Sequence, residues 1–243
     1  MKIYDFDIKK GIYNFEFDDL TTEKHAHPVV EFISATSGTF TLRAKGRTYE
    51  NLEFAIIDQN TEHKVVAKSC SVSILLVESY NSQLSDFFDR KGILLKNGVF
   101  IRNVHEKREE LFSEAYHLAV SKDLKTPADK RINTSIKFIE ENELEYKDLL
   151  SKLTSQALLS DSRLSHLFKE HIGISIKKYL VWNKLRQAIH LYLNKGTSLT
   201  DVSLQSGFFD QAHFSNSFKN ILGISPSKAY NSRILQSQNN REF

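Results

Sequence analysis

One stretch of this chain occurs twice, 50 residues apart. Phe168-Lys169-Glu170-His171-Ile172-Gly173-Ile174-Ser175 corresponds to Phe218-Lys219-Asn220-Ile221-Leu222-Gly223-Ile224-Ser225. Upstream, Ser160-Asp161-Ser162-Arg163-Leu164 corresponds to Asp210-Gln211-Ala212-His213-Phe214 at the same offset. Each copy opens on a Ser or Asp suited to cap a helix and keeps apolar side chains at i and i+4 (Leu164 and Phe168; Phe214 and Phe218). It stops at a Gly, where helices take their C-terminal cap. A short helical pattern precedes each copy, over residues 149–156 and 200–205. Two short helices about a tight turn, the second with a polar outer face, make a helix-turn-helix, and its duplication is far more specific than one occurrence. Between the copies, residues 175–194 read as one helix, with Tyr179, Trp182, Leu185, Ile189 and Leu193 at steps of three or four. Its length of about 30 Å approaches the roughly 34 Å between successive major-groove segments on one side of B-DNA.

Charge divides the chain in the same way. Residues 149–235 carry 11 basic and 4 acidic side chains, a net +7, whereas residues 1–148 carry 21 and 25, a net −4. A basic C-terminal part joined to a mildly acidic N-terminal part suggests a polyanion-binding module beside a module with another task. Charge alone is equally consistent with a solvated basic face. With 40 % hydrophobic and 26 % charged residues the composition is that of an ordinary globular protein, and the single cysteine, Cys70, excludes an internal disulfide framework and a Cys-rich zinc site. No apolar run approaches the roughly 20 residues of a membrane helix, and the N-terminus lacks a signal-peptide core. The expectation is a reduced, cytoplasmic protein with no membrane association.

From about residue 10 to 80 the pattern has period two. Ile12 to Phe17 alternates, and so does Thr39 to Ala44, which Lys45-Gly46 closes as a hairpin before Thr48-Tyr49 returns. Cys70, Val72 and Ile74 share an inward face, which makes Cys70 a core residue. Short strands at this spacing favour a small barrel or sandwich. Phe15, Phe17, Phe32, Phe40 and Tyr49 are either pocket walls or plain core; Arg43 and Arg47 are either contacts for an anionic ligand or, the favoured reading, solvent-facing strand charges. Residues 83–88 read as a short helix, and Glu110 to Val120 as a longer one that either pairs two copies or packs on the barrel. Residues 121–128 form a short polar linker, short enough that the two modules communicate.

His25-Ala26-His27, Glu31 and Gly38, followed by His63 after a polar loop, resemble the two sequence motifs of the cupin superfamily, a small β-barrel whose metal-dependent members use three His and one Glu as ligands. His25, His27, Glu31 and His63 are expected to line a ligand pocket; ligand-type residues alone do not establish a metal site, so neither a metal nor another cofactor is expected here. Residues 129–235 resemble the DNA-binding domain of AraC/XylS-type transcription regulators, the second copy from Gly207 to Ser227 following the family signature closely. Residues 132–142 resemble that domain's first helix. Departures are Phe209 in place of a small polar residue, Lys184 in place of Arg, and Asn231 after the Tyr. Barrel followed by double motif is that family's usual order.

The motif positions imply roles. Leu164, Leu167, Phe168, Phe214 and Phe218 face the core. Ser162, Ser165 and His166 on the first helix, and Gln211, Ala212, Ser215 and Asn216 on the second, are the base-edge readers; Gln and Asn can pair with adenine and an Ala methyl can meet a thymine methyl. Arg163, Lys169, Lys177, Lys178, Lys219 and Ser227 are the phosphate contacts. His213 is expected to pack. Small readers on the first helix give it the weaker specificity. The expected fold is α+β: a cupin-like β-barrel (1–104), a helix and linker suited to dimerisation (105–128), then an all-α domain with two helix-turn-helix motifs joined by a long helix (129–243). The expected function is a sequence-specific transcription regulator, with promoter DNA, an unidentified small-molecule effector, a possible second copy and, for an activator, RNA polymerase as partners. No catalytic residue is assigned, since no P-loop, dinucleotide fingerprint or nucleophile elbow is present. The alternative is a metal-dependent cupin enzyme with a DNA-binding tail.

Overall fold

The period-two region forms two antiparallel sheets in the computed structural model, which describes residues 1–102 and 105–230. Its strands are β1 (Lys2–Asp7), β2 (Ile12–Asp18), β3 (Val30–Ser37), β4 (Phe40–Ala44), β5 (Arg47–Leu52), β6 (Phe54–Ile57), β7 (His63–Val66), β8 (Ser71–Val77) and β9 (Val99–Arg102). One sheet has the order β1-β2-β8-β3-β6-β9 and the other β5-β4-β7. Lys45 and Gly46, both at positive φ (50° and 76°), make the tight β4–β5 turn, as two-residue hairpins require. Isolated bridges pair Thr21 with Val66 and His25 with His63, so the β2–β3 connection is stitched to the smaller sheet.

Alternation sorts the side chains of the large sheet onto two faces. Ile33, Ile74 and Leu76 turn inward onto Leu42 and Val65 of the small sheet, together with buried Cys70 and Phe40. Phe32, Phe54, Ile56, Leu75 and Val77 turn outward and are covered by α1 (Gln83–Lys91) and α2 (His105–Ser121) through Leu84, Phe87, Leu111 and Ala115. Of the two readings for the helix after the sheets, packing on the sheet is therefore realised over its described side chains. Of the aromatic residues, Phe32 and Phe40 are plain core, Tyr49 is partly buried, and Phe15 and Phe17 border an internal cavity.

The remaining helices are α3 (Lys130–Glu141), α4 (Tyr146–Ala157), α5 (Asp161–Ile172), α6 (Ile176–Lys195), α7 (Leu199–Gln205), α8 (Gln211–Leu222) and α9 (Pro226–Tyr230). Helix α4 begins three residues before its apolar pattern, and α6 keeps the expected 20 residues, one position along. The polar linker is strapped rather than free. Leu124 and Lys125 are buried, the Leu124 carbonyl accepts from the Tyr80 N–H at 2.8 Å, and Asn81 Nδ2 donates to the Asp123 and Thr126 carbonyls. One continuous apolar cluster joins Tyr13, Ile33 and Leu76 of the sheets to Trp182, Phe214 and Phe218 of the helices. Asn231 and Arg233 lie outside the described residues.

Candidate functional site

The duplicated sequence folds as a duplicated structure. Helices α5 and α8 are both 12 residues long. The Ser160 hydroxyl accepts from the Arg163 N–H and the Asp210 carboxylate from the His213 N–H, so each helix starts on the side-chain cap its sequence offers. Each ends on a left-handed Gly, Gly173 and Gly223, whose N–H donates to the Lys169 and Lys219 carbonyls respectively. Leu164, Phe168, Phe214 and Phe218 are buried as their spacing requires. The opposite faces present Ser162, Arg163, His166 and Lys169 on α5, and Gln211, Ala212, Asn216 and Lys219 on α8, all exposed; Ser165 and Ser215 are half-buried at equivalent positions. Gln211 accepts from the Thr200 hydroxyl at 2.7 Å, and His166 stands 3.8 Å from Glu170. His213 packs edge-on against Phe208 while staying exposed. Ser227 is exposed on α9, beside the capping Ser225. Lys177 and Lys178 are exposed but open onto a cleft shared with Ala26, Pro28 and Asn60 of the sheet domain.

Sequence reasoning foresaw the glycines that end these helices but not what they rest on. Both terminal glycines rest on the sheet domain. The Gly223 carbonyl accepts from the Glu23 N–H at 2.6 Å, and a Cβ on Gly223 would lie 2.5 Å from His25 Nδ1 and 2.8 Å from Thr22 Cβ. The Gly173 carbonyl accepts from Asn60 Nδ2 at 3.4 Å, and a Cβ there would meet Gln59 at 3.0 Å. The β2–β3 connection thus holds the end of α8 and the β6–β7 connection holds the end of α5.

Those two connections also bring His25, His27, Glu31 and His63 together, all buried, beneath the seats. The β6–β7 turn is made without a glycine, by Asn60 at a φ of 59°. Glu31 Oε2 lies 3.1 Å from His27 Nε2 and 3.0 Å from His63 Nε2, and the His25 and His63 rings are 4.1 Å apart between centroids. Burial, with His63 and His27 alongside, pushes His25 down to about 3, so it stays neutral near pH 7. Burial works to raise the Glu31 carboxyl, but His63 and His27 outweigh it and hold Glu31 well below the usual range. Burial disfavours a charge on His63, and the Glu31 carboxylate outweighs that in turn and raises it. His25, His27 and Glu31 floor a narrow cavity of about 60 Å³ between β2 and β8 on one side and α6, α8 and α9 on the other. Its walls are apolar: Phe15, Phe17 and Leu76 face Ile189, Phe218 and Tyr230.

A second contact between the domains is ionic. Arg186 of α6 and Glu78, just after β8, are both fully buried and pair at 2.6 Å. Glu78 Oε1 also accepts from Tyr13 at 2.5 Å and from Trp182 Nε1 at 3.2 Å, and Oε2 accepts from Tyr80. Arg186 Nη2 reaches Glu140 and Asn183, and Lys125 of the linker closes the network on Glu140 at 2.7 Å. The signal for it was in the sequence: Arg186 falls four residues after Trp182 and seven after Tyr179, on the apolar stripe of α6.

Residues 153–232 match the family model of the helix-turn-helix domain. Over 110 residues the chain is 31 % identical to the arabinose operon regulatory protein of Escherichia coli, which covers 45 % of this chain and 38 % of that protein. Over 85 residues it is 35 % identical to the Msm operon regulatory protein of Streptococcus mutans, covering 35 % and 29 %. The chain therefore matches well under half the length of these relatives. Among solved structures it is similar to ToxT of Vibrio cholerae, with a TM-score of 0.57 at 14 % identity over 90 % of this chain and 96 % of that one. It is also similar to ToxT solved with an unsaturated fatty acid bound, at a TM-score of 0.51. These likenesses extend over sheets and helices together and establish one α+β fold order for both. Among the described residues no helix is long and apolar enough to cross a membrane.

Proposed function

We propose that this chain, whose C-terminal part is an AraC-type helix-turn-helix domain, is a transcription regulator whose sheet domain holds both reading helices and repositions them when a small molecule binds. The observation that carries this reading is the paired seating: two equivalent helices expose their polar faces while both C-terminal glycines rest on loops of the sheet domain. Ser162, Ser165, His166, Gln211, Ala212, Ser215 and Asn216 read base edges. Arg163, Lys169, Lys219, Lys177, Lys178 and Ser227 contact phosphates, and α6 spaces the two motifs for adjacent major-groove segments. The division of labour follows residues 1–104, 105–128 and 129–243. Pairing of two copies and recruitment of RNA polymerase belong to the same reading, which places the protein with the DNA in the cytoplasm and involves no catalytic step.

The effector site is the apolar cavity between the domains. At about 60 Å³ it holds roughly two waters, whereas ligand pockets run to about 300–1,000 Å³. An effector of ordinary size therefore enters by parting β2 and β8 from α8 and α9, which couples binding to the pose of α8 directly. ToxT solved with a fatty acid is consistent with an apolar class of ligand. Here the Glu31 carboxylate on the floor disfavours an anionic head, so the effector is apolar with a neutral or cationic head.

Selection of duplexes from a random pool by the full chain, followed by footprinting, tests the DNA half. The expected result is an enriched site protected in two major-groove segments about one helical turn apart on one face. Enrichment of no sequence, or protection of a single segment, overturns it.

A further inference from the structure

We infer that the cleft between the β1–β2 turn, the linker and α3 binds a small molecule carrying two or more phosphate groups. The cleft has a volume of about 450 Å³, within the roughly 300–1,000 Å³ of small-molecule pockets. Five lysines from three separate segments line it: Lys9 and Lys10 of the turn, Lys122 and Lys125 of the linker, and Lys137 of α3. Two carboxylates share it, Asp123 and Glu140, so five positive charges stand against two negative ones, a net +3. All of these residues fall within residues 1–148, whose overall balance is −4, so the excess is no share of the C-terminal basic surplus.

Both carboxylates are already committed. Glu140 Oε1 accepts from Lys125 Nζ at 2.7 Å, from Tyr179 at 2.8 Å and from Arg186 Nη2 at 3.0 Å. Asp123 Oδ1 accepts from the N–H groups of Lys125 and Thr126. Among the described residues, Lys9, Lys122 and Lys137 are exposed and pair with no carboxylate. Lys125 differs from them, since its side chain is only 8 % exposed. The Ile8 carbonyl at 3.0 Å and Glu140 take two of its three donors, which leaves one for an occupant. The half-buried Asn133 amide, without a partner among the described residues, adds neutral donors. Like charges gathered in one cleft repel, and a multiply charged anion relieves that repulsion. Two phosphate groups bring about three to four negative charges, which matches the excess, and lysine binds phosphate as a point charge.

The walls are held in place by bonds that need no ligand. The Lys10 N–H donates to Asp7 Oδ1 at 2.9 Å and closes the turn, while Lys10 Nζ reaches the Val120 carbonyl at 2.9 Å. Gln83 Nε2 joins Asn81 Nδ2 in holding the Asp123 carbonyl, each at 2.8 Å. Little is then left to order when an anion enters. A duplex touches only the rim of such a cleft, because Lys125 is buried; a phosphate on a small molecule reaches it. The walls belong to the sheet domain, the linker and the helical domain, so an occupant ties all three together. Lys125 and Glu140 also continue into the Arg186–Glu78 network that crosses the same boundary. Occupancy therefore stabilises the docked arrangement of the two domains.

The test titrates the full chain with sodium pyrophosphate by calorimetry, at constant ionic strength and without divalent metal, with sulfate as the single-anion comparison. The expected result is one pyrophosphate per chain, bound more tightly than sulfate and released by added salt. Lys122→Gln and Lys137→Gln should each weaken it about fivefold. Lys68→Gln, exposed but outside the cleft, should leave it unchanged. Far-UV circular dichroism checks that the variants fold, and Lys9→Gln replaces either one that does not. Saturating pyrophosphate should also raise the temperature at which Trp182 emission changes. No binding, or binding no tighter than that of sulfate, overturns the site. Equal losses in Lys68→Gln and the cleft variants, or no loss in any, mean diffuse attraction to a basic surface and overturn it as well. Pyrophosphate that a random duplex displaces, with duplex affinity falling in Lys137→Gln, assigns the cleft to the DNA backbone and overturns the small-molecule ligand. Binding that leaves the Trp182 transition where it was overturns the tie between the domains.

Discussion

Glu78 and Arg186 are a costly pair to bury, since each loses its hydration, and such pairs hold only when the remaining donors and acceptors are also satisfied. Here Tyr13, Tyr80 and Trp182 saturate the carboxylate and Glu140 and Asn183 take the second guanidinium nitrogen, which leaves only Arg186 Nε of the pair without a partner. Burial alone would raise the Glu78 carboxyl, but Arg186 and Lys125 outweigh it and hold it below its ordinary value. A carboxyl lowered on folding contributes stability in full above its unfolded value of about 4.3, and loses it as pH falls through the lower folded value. Trp182, the single tryptophan, reports this directly because its indole N–H donates to Glu78. Its emission should hold steady from pH 7 to 5 and shift red below about pH 4 as the network protonates. Other buried carboxylates titrate as well, Glu31 among them, so the informative quantity is the difference from Glu78→Gln, in which the acid step in Trp182 emission should shrink. An unchanged step would place the titrating group elsewhere. The stripe of α6 marks Arg186 as a buried position, but pattern reading cannot name the partner that explains its burial, which lies 108 positions away in sequence.

At the scale of the helix, α5 and α8 show how one template serves two purposes. Their N-terminal halves were legible in the sequence because capping, spacing and polar faces are local properties, and the 50-residue offset exposed them twice. Their C-terminal ends were half legible: the glycines announced a left-handed cap, but nothing local says that Thr22, His25, Gln59 and Asn60 come to lie against it. Gly223→Ala tests that distinction, with Gly92→Ala as the comparison, since Gly92 also has positive φ but open space around it. Both should lose about 1–2 kcal/mol to left-handed strain. Gly223→Ala should lose more, since its Cβ falls on His25 and Thr22, and the excess should appear as a further fall in melting temperature. Equal losses would mean that the seat on the sheet domain yields freely. On the outer faces the sorting into readers and phosphate contacts makes a separate prediction. Asn216→Ala should cost about 1–3 kcal/mol on a selected duplex and relax base preference at one position. Lys219→Ala should weaken all sequences alike and reduce the slope of log K against log salt by about 0.9. Binding measured on selected and random duplexes at several salt concentrations separates the two, and parallel losses with Asn216→Ala would remove it from the readers.

Over the whole molecule the two parts are less independent than a charge boundary and a polar linker suggest. The apolar cluster runs without a break from Ile33 and Leu76 to Phe214 and Phe218, the linker is tied down at Leu124 and Lys125, and the ionic network crosses the same boundary. The sequence showed two modules because composition, periodicity and motif each change along the chain; it could not show their docking, which depends on pairs of residues that no window contains together. A shared core and a buried ion pair make unfolding cooperative, so Trp182 emission and far-UV circular dichroism should report one coincident thermal transition for the full chain. Glu78→Ala should split it. Removal of the carboxylate leaves Arg186 buried and uncompensated, a loss of about 3–5 kcal/mol. Undocking returns the guanidinium to water and relieves that loss, whereas unfolding either module does not become easier by the same amount. Trp182 emission should therefore shift several degrees below the loss of helical and sheet signal. Arg186→Met in the same background should bring the two transitions back together in part, because it removes the orphaned charge while keeping apolar volume in the seam. Coincident transitions in Glu78→Ala at a lower temperature would instead mean that the network belongs to one cooperative unit, and that an effector cannot part the domains without unfolding them.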